Sequence, residues 1–447
     1  MTAPLRNQDL AGAVAEAEAR YAAANPGSAR LAEAARASMP GGNTRTTLHY
    51  GPFPLAMQGG QGSRLTDVDG HAYVDFVNEH TAGLFGHSDP VISEALHRAI
   101  DGGFVLGAPN PFEHRLAEAL VGRFAAIERV RFCNSGTEAN LLALAAARAF
   151  TGREAVLVFH GAYHGSLLYF GHGASALNMP FPVVLSTFND ADRAVADIDA
   201  QAGRLAAVLV EPMQGSAGAL PAEPGFLEAL RAACTRHGIV LILDEVMTSR
   251  LGPGGVQGRI GLVPDMTTLG KYVGGGMTIG AFGGRADIMA RFDPGRAGAW
   301  SHGGTFNNNI LAMAAGVAAL ERVLTAAAVE ALNARGDRLR LALAGLAERH
   351  GLPVVVTGMG SIFGFHFHRG PARNEAELDA FAQGRGAAID ALKKLFQLDL
   401  FAMGQHVTRR ILGNLSLANS DAEVDGLVAC IDEFLSSRGA LIREVAG

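Results

Sequence analysis

Short, unbroken apolar runs alternate with amphipathic segments in the middle of the chain, and this alternation constrains the fold more than any other feature. Runs at 155–159, 206–210 and 239–243 read as strands, while 224–237, followed by Gly238, reads as a helix. The run 239–243 contains only Val, Ile and Leu, as expected of a parallel strand buried on both faces. The pattern predicts an α/β fold whose functional residues lie just past the strand ends.

A chain of 447 residues exceeds what one compact core usually holds, so its length predicts more than one domain. Residues 1–38 read as a helical arm, and 63–76 alternate apolar and polar residues like a β-hairpin. We expect an N-terminal arm with part of a small domain over 1–75, a large domain over 76–315 and a C-terminal small domain over 316–447. Three apolar runs in the last segment read as strands: 354–356, 361–366 and 411–417.

The composition excludes several classes of protein. Apolar residues make up 49% and charged residues 18%, which indicates a globular chain. A net charge of -6 and a pI near 6.2 argue against a nucleic-acid partner. Three scattered cysteines without a C-x-x-C pair predict neither disulfides nor a metal site. Because we see no signal peptide and no apolar run of membrane-spanning length, we expect a soluble, cytoplasmic protein without a membrane partner.

Lysine is almost absent: of 37 basic residues, only Lys271, Lys393 and Lys394 are lysine. Only an amine can lose its proton, attack a carbonyl and form an imine, so a lysine kept in such a chain is a candidate nucleophile. Lys271 lies among glycines, which leave room for a bulky ligand. Lys393 and Lys394 read as part of a solvated helix face.

Two other segments carry chemistry. Ser135, Gly136 and Thr137 stand between a short strand and a helix, where free N–H groups and the helix dipole form a cradle for phosphate; an ordinary capped helix start is the alternative. Asp244 closes the most apolar strand, where a carboxylate is costly without a positive partner; a structural ion pair is the alternative there.

Together, a phosphate cradle, a carboxylate and an amine are what pyridoxal 5'-phosphate requires: a phosphate anchor, a partner for its protonated ring nitrogen and a lysine that forms an imine with its aldehyde. Neither glycine-rich segment, 252–258 or 358–364, has the G-x-G-x-x-G spacing of a nicotinamide site. The combination therefore favours pyridoxal phosphate.

Over nearly its whole length the sequence resembles the class III aminotransferases of the fold-type-I pyridoxal-phosphate enzymes, most of all the β-phenylalanine aminotransferases and more distantly the glutamate-semialdehyde aminomutases. Six segments carry the resemblance in the family's order: Asn-Ser-Gly-Thr-Glu-Ala at 134–139, Gly-Ala-Tyr-His-Gly at 161–165, Glu-Pro-Met-Gln-Gly at 211–215, Asp-Glu-Val at 244–246, Leu-Gly-Lys at 269–271 and Gly-Thr-Phe-Asn-Asn at 304–308. It implies a large, mostly parallel mixed sheet flanked by helices, with a smaller α+β domain.

The resemblance also implies the roles of the central residues. Lys271 would bind the cofactor aldehyde as a Schiff base and later carry a proton between substrate and cofactor. Asp244 would keep the pyridine nitrogen protonated. Glu211 and Gln214 would lie near Asp244 and the cofactor's 3'-oxygen.

The same resemblance implies how the cofactor is held. Ser135, Gly136 and Thr137 would bind its phosphate, while Tyr163 and Val246 would cover the two faces of its ring. Thr305 would reach the phosphate of the neighbouring subunit's cofactor, so the active protein would be a homodimer with shared active sites.

The substrate residues follow from the chemistry of carboxylates, which suit the fork-shaped arginine side chain. The resemblance implies that Arg45 holds a substrate carboxylate and that Arg410 holds the carboxylate of the oxo-acid acceptor, with Arg409 as the alternative to Arg410. Four apolar residues are candidates either for an aromatic pocket or for plain core: Phe53, Met57, Phe85 and Phe104.

The implied activity is ping-pong transfer of the amino group of a β-amino acid, similar to β-phenylalanine, or of a related amine, to 2-oxoglutarate or pyruvate. Two alternatives stay open: intramolecular amino transfer, as in a glutamate-1-semialdehyde 2,1-aminomutase, and a non-catalytic homologue that binds the cofactor as a scaffold. The intact set of lysine, aspartate and phosphate cradle argues against the scaffold.

Overall fold

The structure is a computed structural model that describes residues 9–171 and 175–447. Strands in this part of the chain are β1 Met57–Gln61, β2 Arg64–Asp67, β3 Ala72–Asp75, β4 Arg129–Cys133, β5 Ala155–Phe159, β6 Val183–Ser186, β7 Leu205–Val210, β8 Met213–Gln214, β9 Leu220–Pro221, β10 Val240–Asp244, β11 Met266–Gly270, β12 Gly280–Gly284, β13 Val355–Met359, β14 Ile362–His366, β15 Gln405–His406 and β16 Leu412–Asn414.

The α-helices of the same residues are α1 Leu10–Ala24, α2 Pro26–Arg36, α3 Pro90–Asp101, α4 Pro111–Arg123, α5 Gly136–Thr151, α6 Ala191–Gln201, α7 Phe226–His237, α8 Gly255–Ile260, α9 Ala286–Met289, α10 Ile310–Ala318, α11 Ala326–His350, α12 Glu375–Ala382, α13 Gly386–Ala402 and α14 Asp421–Ala446. Short helical turns occupy Pro40–Gly42, Thr46–Leu48, Thr248–Leu251, Lys271–Gly274, Ala290–Phe292 and Ala319–Val323.

A seven-stranded sheet in the order β4-β12-β11-β10-β7-β5-β6 forms the centre of the molecule. The pairs β11/β10, β10/β7, β7/β5 and β5/β6 are parallel, and β12 runs antiparallel to both its neighbours. Helix α5 packs on one face of this sheet and α7 on the other. This mixed, mostly parallel sheet between helices confirms the predicted α/β fold.

Alternation along each central strand explains why both faces are covered. In β5, Val156 and Val158 pack with the α5 side, whereas Ala155, Leu157 and Phe159 pack with the α6 and α7 side, and all five are fully buried. A strand buried on both faces has no polar positions, which is why the sequence shows an unbroken apolar run.

Two smaller sheets join distant parts of the chain. The sheet β1-β2-β3-β15 pairs the N-terminal hairpin with Gln405–His406, and β13-β14-β16 brings three C-terminal segments together. The predicted strand 411–417 is shorter than expected, because Ile411 has a left-handed φ of 54° and strand pairing ends at Asn414. The division at residues 75 and 315 stays a prediction.

Lys393 and Lys394 correct one expectation. Both are only partly exposed, and the Lys394 amine forms an ion pair with Glu18 of α1, which packs against α13. The predicted solvated helix face is therefore wrong: the N-terminal arm covers Lys394, and burial lowers the pKa of the Lys393 amine.

No single helix among the described residues is long and apolar enough to cross a membrane. The helical segments Ile310–Val323 and Ala326–His350 pass that test only as a pair, across a bend of 81°.

Two glycines of α11 provide a test of this packing. A Cβ at Gly336 would lie 2.1 Å from the Gly360 carbonyl oxygen, whereas a Cβ at Gly345 would meet nothing within 4 Å. We expect Gly345→Ala to stabilise the protein by about 0.5–1 kcal/mol, since alanine is the better helix former. Gly336→Ala should lower the urea midpoint, and equal midpoints for the two variants would contradict the packing described here.

Candidate active site

Three strand ends meet at one edge of the central sheet. Strand β4 leads into Ser135, β10 ends at Asp244, and β11 ends immediately before Lys271. Strand β12 lies between β4 and β11, and its first residue, Gly280, pairs with both Cys133 and Gly270. A Cβ on Gly280 would lie 2.0 Å from the Ser135 carbonyl oxygen, so only glycine lets these segments approach so closely.

Ser135, Gly136 and Thr137 form the start of α5, as predicted. The Ser135 hydroxyl accepts a hydrogen bond from the Glu138 N–H at 3.1 Å, while the Glu138 carboxylate accepts from the N–H of Asn134 at 2.8 Å rather than from that of Ser135. The helix start is half-buried, and the N–H groups of Gly136 and Thr137 in its first turn are available to a ligand.

Two glycines allow neighbouring segments to pack closely against the start of α5. A Cβ on Gly136 would lie 2.7 Å from Val246 Cγ1, and one on Gly165 would lie 2.2 Å from Thr137 Oγ1. Val246 therefore borders the cradle, on the segment that follows Asp244.

Asp244 is buried, with 4% of its surface exposed, and its carboxylate has three hydrogen-bond partners. Oδ2 accepts from Asn140 Nδ2 at 2.8 Å and lies 2.7 Å from His164 Nδ1, while Oδ1 accepts from the Val246 N–H at 3.0 Å. Asn140 is fixed in turn, because its Oδ1 accepts from Thr268 Oγ1 at 2.7 Å. The carboxylate is therefore held rigidly, because three hydrogen-bond donors offset the cost of its burial.

Sequence analysis did not find His164 or Asn140 as partners of Asp244. Both lie within the family-like segments or next to one, but the contact joins α5, the loop after β5 and the end of β10. Only the folded chain brings these three segments together.

Lys271 lies inside the protein rather than in open water. Its backbone is left-handed, with φ of 57°, and its amine donates to the His80 carbonyl oxygen at 2.7 Å and to Thr81 Oγ1 at 2.9 Å. A left-handed φ is unusual for a residue with a side chain and is characteristic of functional positions.

The electrostatics of the site place the amine beside the two buried carboxylates. Burial lowers the pKa of Lys271 to about 8, while Asp244 and Glu211 act in the opposite direction and Arg250 adds to the lowering. A lysine with this pKa loses its proton easily, as imine formation requires.

Glu211 lies near Asp244, whose charge acts on it, and its carboxylate also contacts the segment that carries Tyr163. The Glu211 carboxylate accepts from the N–H groups of Tyr163 at 2.8 Å and Gly215 at 2.9 Å, and burial raises its pKa to about 7. Gln214 donates to the His160 carbonyl at 2.8 Å, which leaves its buried Oε1 without a partner among the described residues. The Tyr163 ring is 48% exposed, so one face is free to cover a ligand.

Arg45 and Arg410 come from opposite ends of the chain and approach the same ring. Burial raises the pKa of the Tyr163 hydroxyl, and the positive charges of Arg410 and Arg45 oppose that rise. Arg45 forms an ion pair with Glu79, and both side chains are partly exposed.

Arg409 and Arg410 point to different partners. Arg410 donates to Ser216 Oγ at 3.3 Å, two residues beyond Gln214. Arg409 forms an ion pair with Asp390 of α13. The structure thus brings Arg410, and not Arg409, towards Tyr163.

Thr305 is not brought to the site of its own chain. It is exposed, on a loop that is anchored because Asn307 Oδ1 accepts from Asn134 Nδ2 at 3.0 Å. Among the four apolar candidates, Phe53 and Phe85 belong to the core and Phe104 is 48% exposed. Met57 is different, since it lines a cavity of about 680 Å³ together with Tyr50 and His80.

The residues present fit pyridoxal phosphate. A glycine-lined helix start offers N–H groups for a phosphate, a rigid buried carboxylate offers an acceptor for a ring N–H, and a lysine with a lowered pKa offers a nucleophile.

Comparison with known proteins supports the same assignment. Residues 47–395 match the class-III aminotransferase family. The chain is 47% identical over 431 residues to a beta-phenylalanine transaminase of Variovorax paradoxus, covering 96% of this chain and 97% of that one. It is also 40% identical over 340 residues to a glutamate-1-semialdehyde 2,1-aminomutase of Desulforapulum autotrophicum, covering 72% and 79%.

A solved structure agrees with these sequence relatives. The crystal structure of a beta-phenylalanine aminotransferase from Variovorax paradoxus superposes with a TM-score of 0.93 at 46% identity, covering 97% of this chain and 99% of that one. The chain belongs to the class-III aminotransferases. It is therefore a pyridoxal-phosphate enzyme of fold type I, and the predicted family, activity class and cofactor are confirmed.

The lowered pKa of Lys271 gives a direct prediction. In the full-length chain freed of cofactor, we expect acylation of Lys271 to rise with pH and reach its midpoint near pH 8, since burial disfavours the protonated amine. Lys394, paired with Glu18, is an internal reference. Peptide mass spectrometry after timed acylation measures both sites, and a Lys271 midpoint above pH 10 would contradict the electrostatics described here.

Proposed function

We propose that this aminotransferase moves the amino group of a β-amino acid of the β-phenylalanine type, or of a related amine, to 2-oxoglutarate or pyruvate by a ping-pong mechanism. One observation carries the proposal: the positive charges of Arg45 and Arg410 both act on the Tyr163 hydroxyl, and that of Arg45 also acts on the buried amine of Lys271. Two cations at one ring suit a pocket that accepts first one carboxylate and then another. The 47% identity to a beta-phenylalanine transaminase supports the donor class.

Pyridoxal phosphate, when bound, supplies an aldehyde that condenses with amines and a ring that accepts the electron pair released when the neighbouring C–H bond breaks. In our proposal Ser135, Gly136 and Thr137 bind its phosphate through the N–H groups at the start of α5. Tyr163 and Val246 cover the two ring faces.

Asp244 sets the protonation of the ring nitrogen. Its carboxylate is fixed by three donors and remains close to the amine that it influences, so a ring N–H placed there gains a charge-assisted hydrogen bond. Glu211 lies beside it, and with Gln214 it borders the 3'-oxygen side of the ring in our proposal.

Lys271 would hold the cofactor through its aldehyde, and its amine would hold and release a proton at its nitrogen. A pKa of about 8 means that its amine is protonated in a substantial fraction of molecules near neutral pH and neutral in the rest, so it can both take up and release a proton there.

The arginines select the carboxylates. Arg45 is paired with Glu79 at a partly exposed position, and such pairs contribute little free energy, so a substrate carboxylate can replace Glu79. Arg410 contacts only Ser216 through a long hydrogen bond among the described residues, which leaves its guanidinium free for the acceptor.

A homodimer with shared active sites is part of the proposal. Several large apolar side chains are exposed in the single chain, among them Phe104 at 48%, Val105 at 81%, Leu106 at 51% and Phe306 at 62%. Phe306 follows Thr305 directly. If a second copy of the chain covered this apolar surface, the Thr305 hydroxyl of one subunit would lie near the cofactor of the other.

Intramolecular amino transfer is the second candidate, because the chain is also 40% identical to a glutamate-1-semialdehyde 2,1-aminomutase. The two functions differ in stoichiometry. We expect one oxo acid to be consumed for each molecule of β-amino acid deaminated, measured by chromatography of both products across a panel of donors. Isomerisation without consumption of oxo acid would reject the transaminase proposal.

Asp244→Asn tests the role of the buried carboxylate. The amide is isosteric and cannot hold the ring nitrogen protonated, so we expect a protein that still binds the cofactor and stays yellow, with kcat lower by roughly 10²-fold or more. Cofactor content by absorbance and turnover by product formation measure the two effects separately. Near-normal turnover would refute the assignment.

Arg410→Gln and Arg409→Gln form a matched pair for the acceptor site. Hydrogen bonds to charged groups contribute about 1.5–3 kcal/mol, so we expect the KM for 2-oxoglutarate to rise roughly 10- to 100-fold in Arg410→Gln. Arg409→Gln should change it little, because Arg409 is paired with Asp390. Steady-state kinetics that showed the opposite order would reverse the assignment.

A further inference from the structure

Four consecutive residues form a left-handed turn beside the reactive amine. Asn78, Glu79, His80 and Thr81 have φ of 43°, 49°, 51° and 77°, and none of them is glycine. Each such residue costs roughly 1–2 kcal/mol relative to the right-handed conformation. A run of four persists only where surrounding contacts hold it.

The first half of this turn is fixed by polar contacts. Asp75 accepts from the N–H groups of Val77 at 2.8 Å and Asn78 at 3.1 Å. Asn414 of β16 accepts from the Asn78 side chain at 2.8 Å and donates to the Val77 carbonyl at 2.8 Å. The turn is thereby attached to the C-terminal part of the chain.

The second half of the turn binds Lys271. The His80 carbonyl and the Thr81 hydroxyl each accept one hydrogen of its amine. A neutral amine has two hydrogens and one lone pair, so two acceptors leave only the lone pair free. The turn thus directs the nucleophilic position of the nitrogen away from itself and into the site.

Arg250 reaches both the turn and the C-terminal strand from inside the protein. It is 1% exposed, and its guanidinium donates to the Thr81 carbonyl at 3.4 Å, to Asn414 Oδ1 at 2.9 Å and to the Leu415 carbonyl. Among the described residues it forms no ion pair, and its Nε has no partner.

An arginine without a carboxylate is costly to bury, and burial lowers the pKa of Arg250 to about 9. The hydrogen bonds of its guanidinium all lie on the turn or on the segment that follows Arg410 by a few residues. The guanidinium therefore acts on the orientation of these two segments.

We propose that Arg250 is a positioning residue: its guanidinium holds the left-handed turn 78–81 against β16, so that the His80 carbonyl and the Thr81 hydroxyl keep the Lys271 amine directed into the site. The inference rests on the proposed function only for the identity of the oxo acid that accepts the amino group. The orientation of the amine needs no substrate.

The test uses the acylation of Lys271 in the full-length chain freed of cofactor. The charged groups that face this amine are Asp244, Glu211, Arg250 and Arg45. In Arg250→Met we expect the midpoint of acylation to rise by about one pH unit or more, because a nearby positive charge is lost and the turn is released. Arg250→Lys keeps the positive charge but not the three hydrogen bonds of the guanidinium. It should therefore restore the wild-type pH midpoint of Lys271 acylation but not the wild-type rate of acylation.

A matched control is available in Arg153, which likewise donates to backbone carbonyls, those of Leu205 and His237, and lies away from the site. Arg153→Met should leave the Lys271 midpoint unchanged. Equal profiles for Arg250→Met and the wild type, with both variants folded by circular dichroism, would overturn the proposal.

Thr81→Val keeps the proposal testable if Arg250→Met does not fold. This substitution removes the hydroxyl that accepts from the Lys271 amine and changes the shape of the side chain little. The lone pair of the amine is then no longer held in one direction, so we expect the plateau rate of acylation to change at least threefold. Thr81→Ser should retain the wild-type rate. Identical plateau rates in Thr81→Val and Thr81→Ser would contradict the proposed orientation, whichever substrate the enzyme uses.

Discussion

Burial of the Lys271 amine is the constraint on which the rest of the site depends. An amine removed from water loses its hydration, so it requires acceptors, and the two nearest are the His80 carbonyl and the Thr81 hydroxyl. The same burial lowers the pKa to about 8, which makes the nitrogen reactive near neutral pH. Burial of this amine therefore requires the acceptors that the left-handed turn provides, and it also makes the nitrogen a nucleophile.

The parallel sheet provides the rigid side of the site. Strands β4, β10 and β11 end at one edge, and this places the start of α5, Asp244 and Lys271 next to one another. Asp244 is held by Asn140, His164 and the Val246 N–H, so its position is fixed before any ligand arrives. Preorganised groups of this kind are the usual source of electrostatic catalysis.

The other side of the site comes from the small sheets and the loops between them. Arg45 precedes the N-terminal hairpin, Arg410 precedes β16, and both approach Tyr163. Arg250 joins the turn 78–81 to Asn414 and Leu415, and so links the lysine side of the pocket to the segment that carries Arg410. The Lys271 amine, the turn 78–81 and the end of β16 thus belong to one connected polar network.

The sequence by itself determined the α/β fold, the helix start at Ser135, the carboxylate at the end of β10 and the importance of Lys271, because each depends on local patterns: apolar runs, capping residues and residue chemistry. It also carried the family resemblance that named the cofactor. Tertiary structure alone decided that His164 and Asn140 hold Asp244, that four non-glycine residues turn left-handed, and that Arg410 rather than Arg409 approaches Tyr163. These features depend on contacts between residues up to several hundred positions apart, and no local pattern records such contacts.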